Sequence, residues 1–474
     1  MLIKGYAAGA IPPLLNIPIN YRRVMQVHSE YLGSHYDLGP YAFGKYIYHE
    51  RQLSQFLAGK IYEVTPVTVS LSPSWVCNNA CEFCTFGDRK FSLEERQVKG
   101  LMPKETAKSI IDQLAQFGIK GIIFTGGGEP TVHPNLIELM LYAKKRGLET
   151  ALFTNGTFDP SLVEPLLRDV KPRFVRVSLN AADEATHFKM TADDPDDLSK
   201  YERSRSNFEK VVENLRRLAV YKYEHRDKVA TRLGIGVIIG KKNVGSLSGF
   251  AERIDPSGHR SSGLLFDILY QGGRPAGVLD YIAFRPQVLY GGARKKQHPK
   301  EIFDSANSQF WGSIIPGVAR IPDFRAIYID TRFAMVHNPQ AKQFPYCLAH
   351  PWRSSVGLGR DGHPKVYLCD EHSGDPDFAL GDLSRSNFQE IMGSKQRMQV
   401  IERLNNGLFA KKCPPTCVLS FANKALNDLA QYNLDTEARE RLESLFSDLR
   451  GAGLKSFFSR LLGRSLSYPD VNFL

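Results

Sequence analysis

The sequence contains no apolar run of about 18 residues, which is the length that a membrane-spanning helix needs. Its first twenty residues are mildly apolar, but Pro12, Pro13 and Pro18 interrupt them. No basic start precedes a clean apolar core, so we expect no signal peptide. Internal repeats and low-complexity tracts are also missing. These absences predict a cytoplasmic protein that neither spans a membrane nor forms a repeat array.

Cysteine is scarce, with seven among 474 residues, and it falls into two groups. The groups are Cys77, Cys81 and Cys84, and Cys347, Cys369, Cys413 and Cys417. An odd count with tight spacing, without an export signal, argues against disulfides. The pattern favours metal or cluster ligation in a reducing compartment.

Composition and charge limit the class of protein only broadly. Hydrophobic residues make up 42% and charged residues 23%, which is typical of a globular chain of two or three domains. The net charge of +11 favours an anionic partner, such as a phosphorylated compound or RNA. Because the charge is not concentrated in one run, a solvated basic surface explains it equally well.

Strand and helix patterns alternate from about Thr65. The predicted strands are Val67–Leu71, Gly121–Thr125, Thr150–Thr154, Phe174–Leu179, Leu233–Ile239 and Tyr281–Phe284. The predicted helices between them are Lys104–Phe117, Asn135–Arg146 and Asn207–Tyr221. Such alternation predicts an α/β protein with parallel strands, whose ligands gather where the strands end.

The chain divides into five predicted segments. They are an N-terminal extension over 1–65 with one helix near Tyr41–Leu57, an α/β core over 66–290, a connector over 291–345, an irregular metal-binding domain over 346–420, and terminal helices over 421–474, with helices at Thr436–Leu449 and Leu454–Leu462.

The first cysteine group has the spacing CxxxCxxC and follows the first predicted strand. Three thiolates can hold three irons of a [4Fe–4S] cluster and leave the fourth iron open for a ligand. A zinc site completed by His49 or His133 is the alternative.

A glycine strip follows the second predicted strand, in the order Thr125-Gly126-Gly127-Gly128-Glu129-Pro130. Three glycines remove every side chain and would let a ligand lie against the backbone. Glu129 adds a carboxylate suited to an ammonium group. Taken alone, a flexible turn between strand and helix would look the same.

The two motifs together resemble those of the radical SAM superfamily, over roughly residues 65–290. The cysteine loop, with Phe83 before its last cysteine, is similar to that family's cluster loop, and residues 127–130 are similar to its GGEP motif. The resemblance implies a partial (β/α)6 parallel barrel that binds S-adenosyl-L-methionine at a [4Fe–4S] cluster. An external electron donor such as flavodoxin or ferredoxin would reduce that cluster.

The same resemblance implies a set of cofactor-binding residues. They are Gly126, Gly127, Gly128 and Glu129 at the methionyl amino group, Asn155, Ser178 and Asn180 at the methionyl and ribose parts, and Gly236 and Ile238 near the adenosine. The last segment departs from the family pattern, which has Glu at the position of Asn243.

The second cysteine group has the spacing Cys347-x21-Cys369-x43-Cys413-x3-Cys417, with Gly362 in an apparent β-hairpin before Cys369. It resembles the SPASM/twitch extension, which implies an auxiliary [4Fe–4S] cluster. Six residues separate Gly362 from Cys369, where the family usually has four. A structural zinc site with four thiolates is the alternative.

No cysteine remains for a further role if both groups bind clusters. We therefore hypothesise an oxidoreductase-like enzyme that abstracts hydrogen from a small polar substrate, such as a sugar, an aminocyclitol or a nucleotide-linked metabolite. The auxiliary cluster would accept an electron, and Arg285 would either bind an anionic group or form a salt bridge. Peptide modification, tRNA or RNA modification, and a non-enzymatic Fe–S or zinc-binding protein are the alternatives.

Overall fold

The computed structural model describes the following residues, given by number: 46, 49–81, 83–84, 86, 100–192, 201–254, 260–287, 309, 313–319, 321, 326–329, 346–408, 412–413, 417–420, 422–423 and 426–427. Most of the predicted N-terminal extension and connector, and both predicted terminal helices, lie outside the described residues.

One sheet of ten strands forms the framework. Its strands are β1 (Thr68–Leu71), β2 (Gly121–Phe124), β3 (Glu149–Thr154), β4 (Phe174–Ser178), β5 (Arg232–Ile239), β10 (Tyr281–Pro286), β11 (Ala326–Ile329), β12 (Arg353–Leu358), β13 (Pro364–Tyr367) and β14 (Ala379–Asp382). Their order in the sheet is β11-β10-β5-β4-β3-β2-β1-β12-β13-β14. All neighbours from β11 to β12 are parallel, which confirms the predicted α/β class and its six parallel core strands. Among the described residues the sheet stays open, with β11 and β14 at its edges.

Two small antiparallel pairs lie between β5 and β10. They are β6 (Glu252–Ile254) with β7 (Arg260–Ser262), and β8 (Tyr270–Gln271) with β9 (Arg274–Pro275).

The helices are mostly short, apart from those that connect the core strands. They are α1 (Glu50–Leu57), α2 (Lys104–Phe117), α3 (Leu136–Lys145), α4 (Glu184–Thr191), α5 (Tyr201–Glu224), α6 (Val244–Leu247), α7 (Leu264–Leu269), α8 (Ile315–Ala319), α9 (Phe388–Met392) and α10 (Lys395–Arg403). The bounds of α2 are those predicted from the sequence. Helix α5 extends beyond the predicted range of 207–221 at both ends. Within the described residues no helix combines the length and the apolar character needed to cross a membrane.

The two faces of the sheet differ because successive strand residues point to opposite sides. One face, including Val69, Ile122 and Val175, packs on the helices in the main apolar core. The opposite face is mixed, with polar residues such as Ser70 and Arg176 beside a smaller apolar cluster of Ile123, Phe153 and Phe174. This second face is therefore the side on which polar ligands can be accommodated.

The C-terminal cysteine region continues the core sheet. Strand β12 pairs with β1 in parallel, Thr68 opposite Arg353, and β13 returns antiparallel after a turn at Gly362, where φ is +80°. The predicted hairpin before Cys369 is confirmed, while the rest of this region is more regular than the sequence suggested. The predicted boundaries between segments stay predictions.

Candidate functional site

The cysteine loop and the glycine strip lie side by side at the ends of β1 and β2. The Gly128 amide donates to the Ser74 carbonyl at 3.0 Å, and the Glu129 amide donates to the Val76 carbonyl at 2.8 Å. Cys77 follows Val76 directly. The two motifs lie about fifty residues apart in the sequence, but hydrogen bonds join the glycine strip to the segment just before the cysteine loop.

The glycine strip makes room for the segment that leads into the cysteine loop. A Cβ at positions 126, 127 or 128 would lie 2.4 Å from Ser72 Oγ, 2.2 Å from Trp75 Cε3 or 2.2 Å from the Val76 carbonyl oxygen. The sequence suggested that these glycines expose the backbone to a ligand. In the structure, the absence of side chains at these positions leaves room for Ser72, Trp75 and Val76. The part of the glycines in cofactor binding stays a prediction.

Trp75 contacts both cysteine regions. Its ring is 1% exposed, and a Cβ at Gly127, Gly357 or Gly374 would lie 2.2, 3.1 or 2.6 Å from it. Gly357 belongs to β12, and Gly374 lies in the turn after Cys369. No sequence pattern reveals this tryptophan, because its three glycine neighbours come from distant parts of the chain.

Glu129 is buried, and its carboxylate is already well supplied with donors. Oε1 accepts from the Thr131 amide at 3.1 Å, from the Thr131 hydroxyl at 2.7 Å and from the Thr154 hydroxyl at 2.7 Å. Oε2 accepts from the Asn155 amide at 2.7 Å. Burial raises the pKa of Glu129, and the hydrogen bonds offset part of that rise. Oε2 keeps a lone pair for one further donor, and the predicted contact with an ammonium group stays a prediction.

Asn155 holds the cysteine loop against the end of β3. Its Nδ2 donates to Asn78 Oδ1 at 2.7 Å, and Asn78 Nδ2 donates to Thr157 Oγ1 at 2.6 Å. The Ala80 amide donates to the Thr191 carbonyl at the end of α4, at 2.8 Å. The predicted cofactor contact of Asn155 stays a prediction beside this observed role.

Asn243 joins the ends of β4 and β5. Its Nδ2 donates to the carbonyls of Asn180 and Ile238 at 2.7 and 2.6 Å, and its Oδ1 accepts from the Gly240 amide at 2.8 Å. Asn180 Oδ1 accepts in turn from the Ile238 amide at 2.8 Å. The residue that departs from the family pattern therefore organises this corner, where Asn180 and Ile238 were predicted to bind cofactor.

Two arginines lie on the mixed face of the sheet. Arg176, in β4, is buried, and its guanidinium carbon lies 3.5 Å from the centroid of the Phe153 ring. A Cβ at Gly236 would lie 3.1 Å from Arg176 Cδ, so this glycine leaves space for the arginine. Arg285, in β10, is half-buried on the same face. Ser178, at the end of β4, is paired in register with Gly236 of β5. Sequence analysis missed Arg176, although a charged residue inside an apolar strand is a usable signal.

His133 does not offer a ring nitrogen to a metal. Its Nε2 lies 2.8 Å from the Met102 carbonyl oxygen, and its Nδ1 accepts from the Asn135 amide at 3.2 Å. Burial lowers the pKa of His133. Its hydrogen bonds explain why a histidine occupies this position, and they remove one candidate fourth ligand for zinc at the first cysteine group.

Three of the C-terminal cysteines lie close enough to influence one another. Burial raises the pKa of Cys347 to about 12, and Cys417 adds to the rise. The pKa of Cys369 is also raised to about 12, by burial and then by Cys347. Buried thiols of this kind become thiolates when a metal binds them, because the cation replaces the lost solvation.

N–H groups point at the sulfurs of this group. Asn423 Nδ2 lies 3.4 Å from Cys347 Sγ, and the Leu419 amide lies 3.4 Å from Cys417 Sγ. Hydrogen bonds to sulfur are a usual feature around iron–sulfur clusters. The donor set therefore fits a thiolate-bound metal centre.

No three His, Cys, Asp or Glu side chains within the described part of the chain converge as ligands of a single metal ion. A four-iron cluster does not require such convergence, because each of its cysteines binds a different iron. The finding therefore does not test the predicted clusters at the two cysteine groups.

Comparison with known proteins gives local matches. A family profile described as the radical SAM superfamily matches residues 71–239. Fe-coproporphyrin III synthase of Methanosarcina barkeri is 35% identical over 104 residues, 22% of this chain and 25% of that protein. S-adenosylmethionine-dependent nucleotide dehydratase of Flammeovirga pacifica is 40% identical over 83 residues, 17% of this chain and 27% of that protein.

The longer matches are more distant. Mycofactocin maturase of Mycobacterium tuberculosis is 27% identical over 186 residues, 39% of this chain and 41% of that protein. The chain thus matches about a quarter to two fifths of the length of these curated relatives. The crystal structure of Streptococcus suis SuiB bound to precursor peptide SuiA has a TM-score of 0.49 at 14% identity, over 74% of this chain and 69% of that one.

Proposed function

Because a radical SAM superfamily profile matches residues 71–239, we propose that the chain is an enzyme that cleaves S-adenosyl-L-methionine reductively and abstracts hydrogen from a small polar substrate. One observation carries the proposal. The Glu129 amide donates to the Val76 carbonyl, just before the CxxxCxxC loop, and Asn155 bonds both the Glu129 carboxylate and Asn78 of that loop. A three-cysteine loop and a buried carboxylate thus stand at the same end of the parallel strands.

The residues at this end of the strands would have different binding roles. Cys77, Cys81 and Cys84 would hold a [4Fe–4S] cluster, while Glu129 Oε2 would accept from the amino group of the cofactor. The bound cluster and cofactor would together supply a 5′-deoxyadenosyl radical that takes a hydrogen atom from the substrate. Asn155 would keep the cysteine loop in place through Asn78.

The C-terminal cysteines would hold an auxiliary [4Fe–4S] cluster that accepts an electron from the substrate. Buried sulfurs with N–H donors aimed at them, and the Trp75 contact to both cysteine regions, support this assignment. An internal acceptor would make the overall reaction an oxidation.

The substrate would be anionic. Arg176 and Arg285 lie on the same face of the core sheet, and a guanidinium can bind a phosphate or carboxylate through two parallel hydrogen bonds. The local similarity to a nucleotide dehydratase supports a nucleotide-linked compound among the substrate classes considered above.

The test is a metal and product analysis of anaerobically purified, reconstituted protein. Two clusters predict about eight irons per chain, falling to about four when Cys77, Cys81 and Cys84 are all replaced by alanine. The wild type, but not this triple variant, should form 5′-deoxyadenosine from the cofactor under reducing conditions. The matched control is Cys413→Ala, which should keep the first cluster and its cofactor cleavage.

Two outcomes would contradict parts of the proposal. About four irons with one zinc would make the C-terminal site structural and remove the internal electron acceptor. A complete first cluster without 5′-deoxyadenosine formation would point instead to a non-enzymatic iron–sulfur protein.

A further inference from the structure

His372 lies in the short helical turn that follows Cys369, and its ring is held in one orientation. The side chain is 2% exposed. Its ring stacks on Phe378, with 3.7 Å between the ring centroids and 3° between the planes. The His372 amide donates to the Cys369 carbonyl at 3.3 Å. Few rotamers are open to a ring that is fixed by its backbone and by a stacked neighbour.

The fixed ring directs one nitrogen to a cysteine from another part of the chain. Its Nε2 lies 3.5 Å from Cys413 Sγ. Its Nδ1 lies 3.9 Å from Asp375 Oδ2, which Lys412 contacts at 3.2 Å. A metal-bound thiolate sulfur can only accept a hydrogen bond, so Nε2 must be the donor when the site is loaded. His372 thus contacts two cysteines of the group, one through its backbone and one through its ring.

We propose that His372 is a positioning residue of the auxiliary site, which donates an N–H···S hydrogen bond from Nε2 to Cys413 and raises the reduction potential of the cluster held there. The inference rests on the auxiliary cluster of the proposed function. A hydrogen bond to a thiolate ligand stabilises the reduced cluster more, because reduction makes the cluster more negative. The bond therefore favours the uptake of an electron at this site.

A potentiometric titration of the full holoenzyme, followed by electron paramagnetic resonance, tests the inference. His372→Phe keeps the ring stack but removes the donor. We expect about a tenfold lower ratio of reduced to oxidised auxiliary cluster at a given potential, about 59 mV for one electron. The cluster at Cys77 should titrate as in the wild type, which makes it an internal reference.

Two further variants separate the hydrogen bond from packing. His372→Gln retains an N–H donor and should recover part of the shift. Ser355→Ala removes a hydroxyl that donates to the Cys369 carbonyl at 3.3 Å, without touching a sulfur, and should leave the potential unchanged. If His372→Phe fails to fold, His372→Leu takes its place in the same comparison.

The outcomes distinguish the inference from its premise. About eight irons with an unchanged auxiliary potential in the donor-less variant would overturn the role of His372 and leave the proposed function intact. Zinc in place of the auxiliary cluster in the wild type would overturn both this role and the proposed electron acceptor. An equal shift in Ser355→Ala would overturn the role of the N–H···S bond.

Discussion

Gly127→Ala is expected to damage the first cysteine site from a distance. The added Cβ would lie 2.2, 2.4 and 2.6 Å from Cε3, Cζ3 and Cδ2 of Trp75. The ring cannot move away easily, because Gly357 and Gly374 face it from other sides. The strip or the ring must therefore shift, and the Gly128 and Glu129 amides would transmit a shift of the strip to the segment before Cys77.

The expected loss of stability follows from this crowding. Overpacking of a well-packed core usually costs about 1–3 kcal/mol. Three contacts below 3.0 Å with an immobile ring place this substitution near the upper end of that range. About 3 kcal/mol would lower the melting temperature by about 6–12 °C in a domain of 150–250 residues. Iron bound at Cys77, Cys81 and Cys84 should fall together with stability.

The assay compares thermal unfolding and iron content with those of Gly245→Ala. Gly245 lies in α6, and a Cβ there meets nothing within 4 Å. This control should stay within about 0.5 kcal/mol of the wild type or be slightly more stable, since alanine is the better helix former. Wild-type melting temperature and iron content in Gly127→Ala would show that close packing of Trp75 against Gly127 does not stabilise the first cysteine site.

Three other predictions use separate parts of the chain. Burial lowers the pKa of His187 to about 4, so the unfolded chain binds a proton first as pH falls. The free energy of unfolding should fall by up to about 3 kcal/mol as the pH is lowered from 6.5 to 4. In denaturant unfolding, His187→Leu should flatten that part of the pH profile. An unchanged slope would contradict the lowered pKa of His187. Lys222 pairs with Asp280 in the core. Lys222→Met should lower the free energy of unfolding by about 3–5 kcal/mol in the same assay, because it leaves a buried carboxylate without its cation. Wild-type stability would mean that the carboxylate is solvated. Arg285→Ala should weaken binding of an anionic substrate; unchanged affinity would remove Arg285 from the site.

The parallel core and the cysteine groups were predictable because their signals are local. Each core strand is a short apolar run, and the helix at 104–117 shows apolar residues at helical spacing. CxxxCxxC and the glycine strip are continuous in the sequence, and parallel strands bring their own ends together. The roles of Gly126, Gly127, Gly128 and Glu129 toward a cofactor remain predictions from that resemblance.

The sequence by itself determined the class of the fold, the six core strands and the residue types available for chemistry. The tertiary structure alone decided which distant residues meet. Trp75 fits against glycines at 127, 357 and 374, and His372 reaches Cys413 across 41 positions. β12 also lies beside β1, although nearly three hundred residues separate them. Such contacts depend on packing and hydrogen bonds between segments that carry no shared period, and a linear pattern cannot encode them.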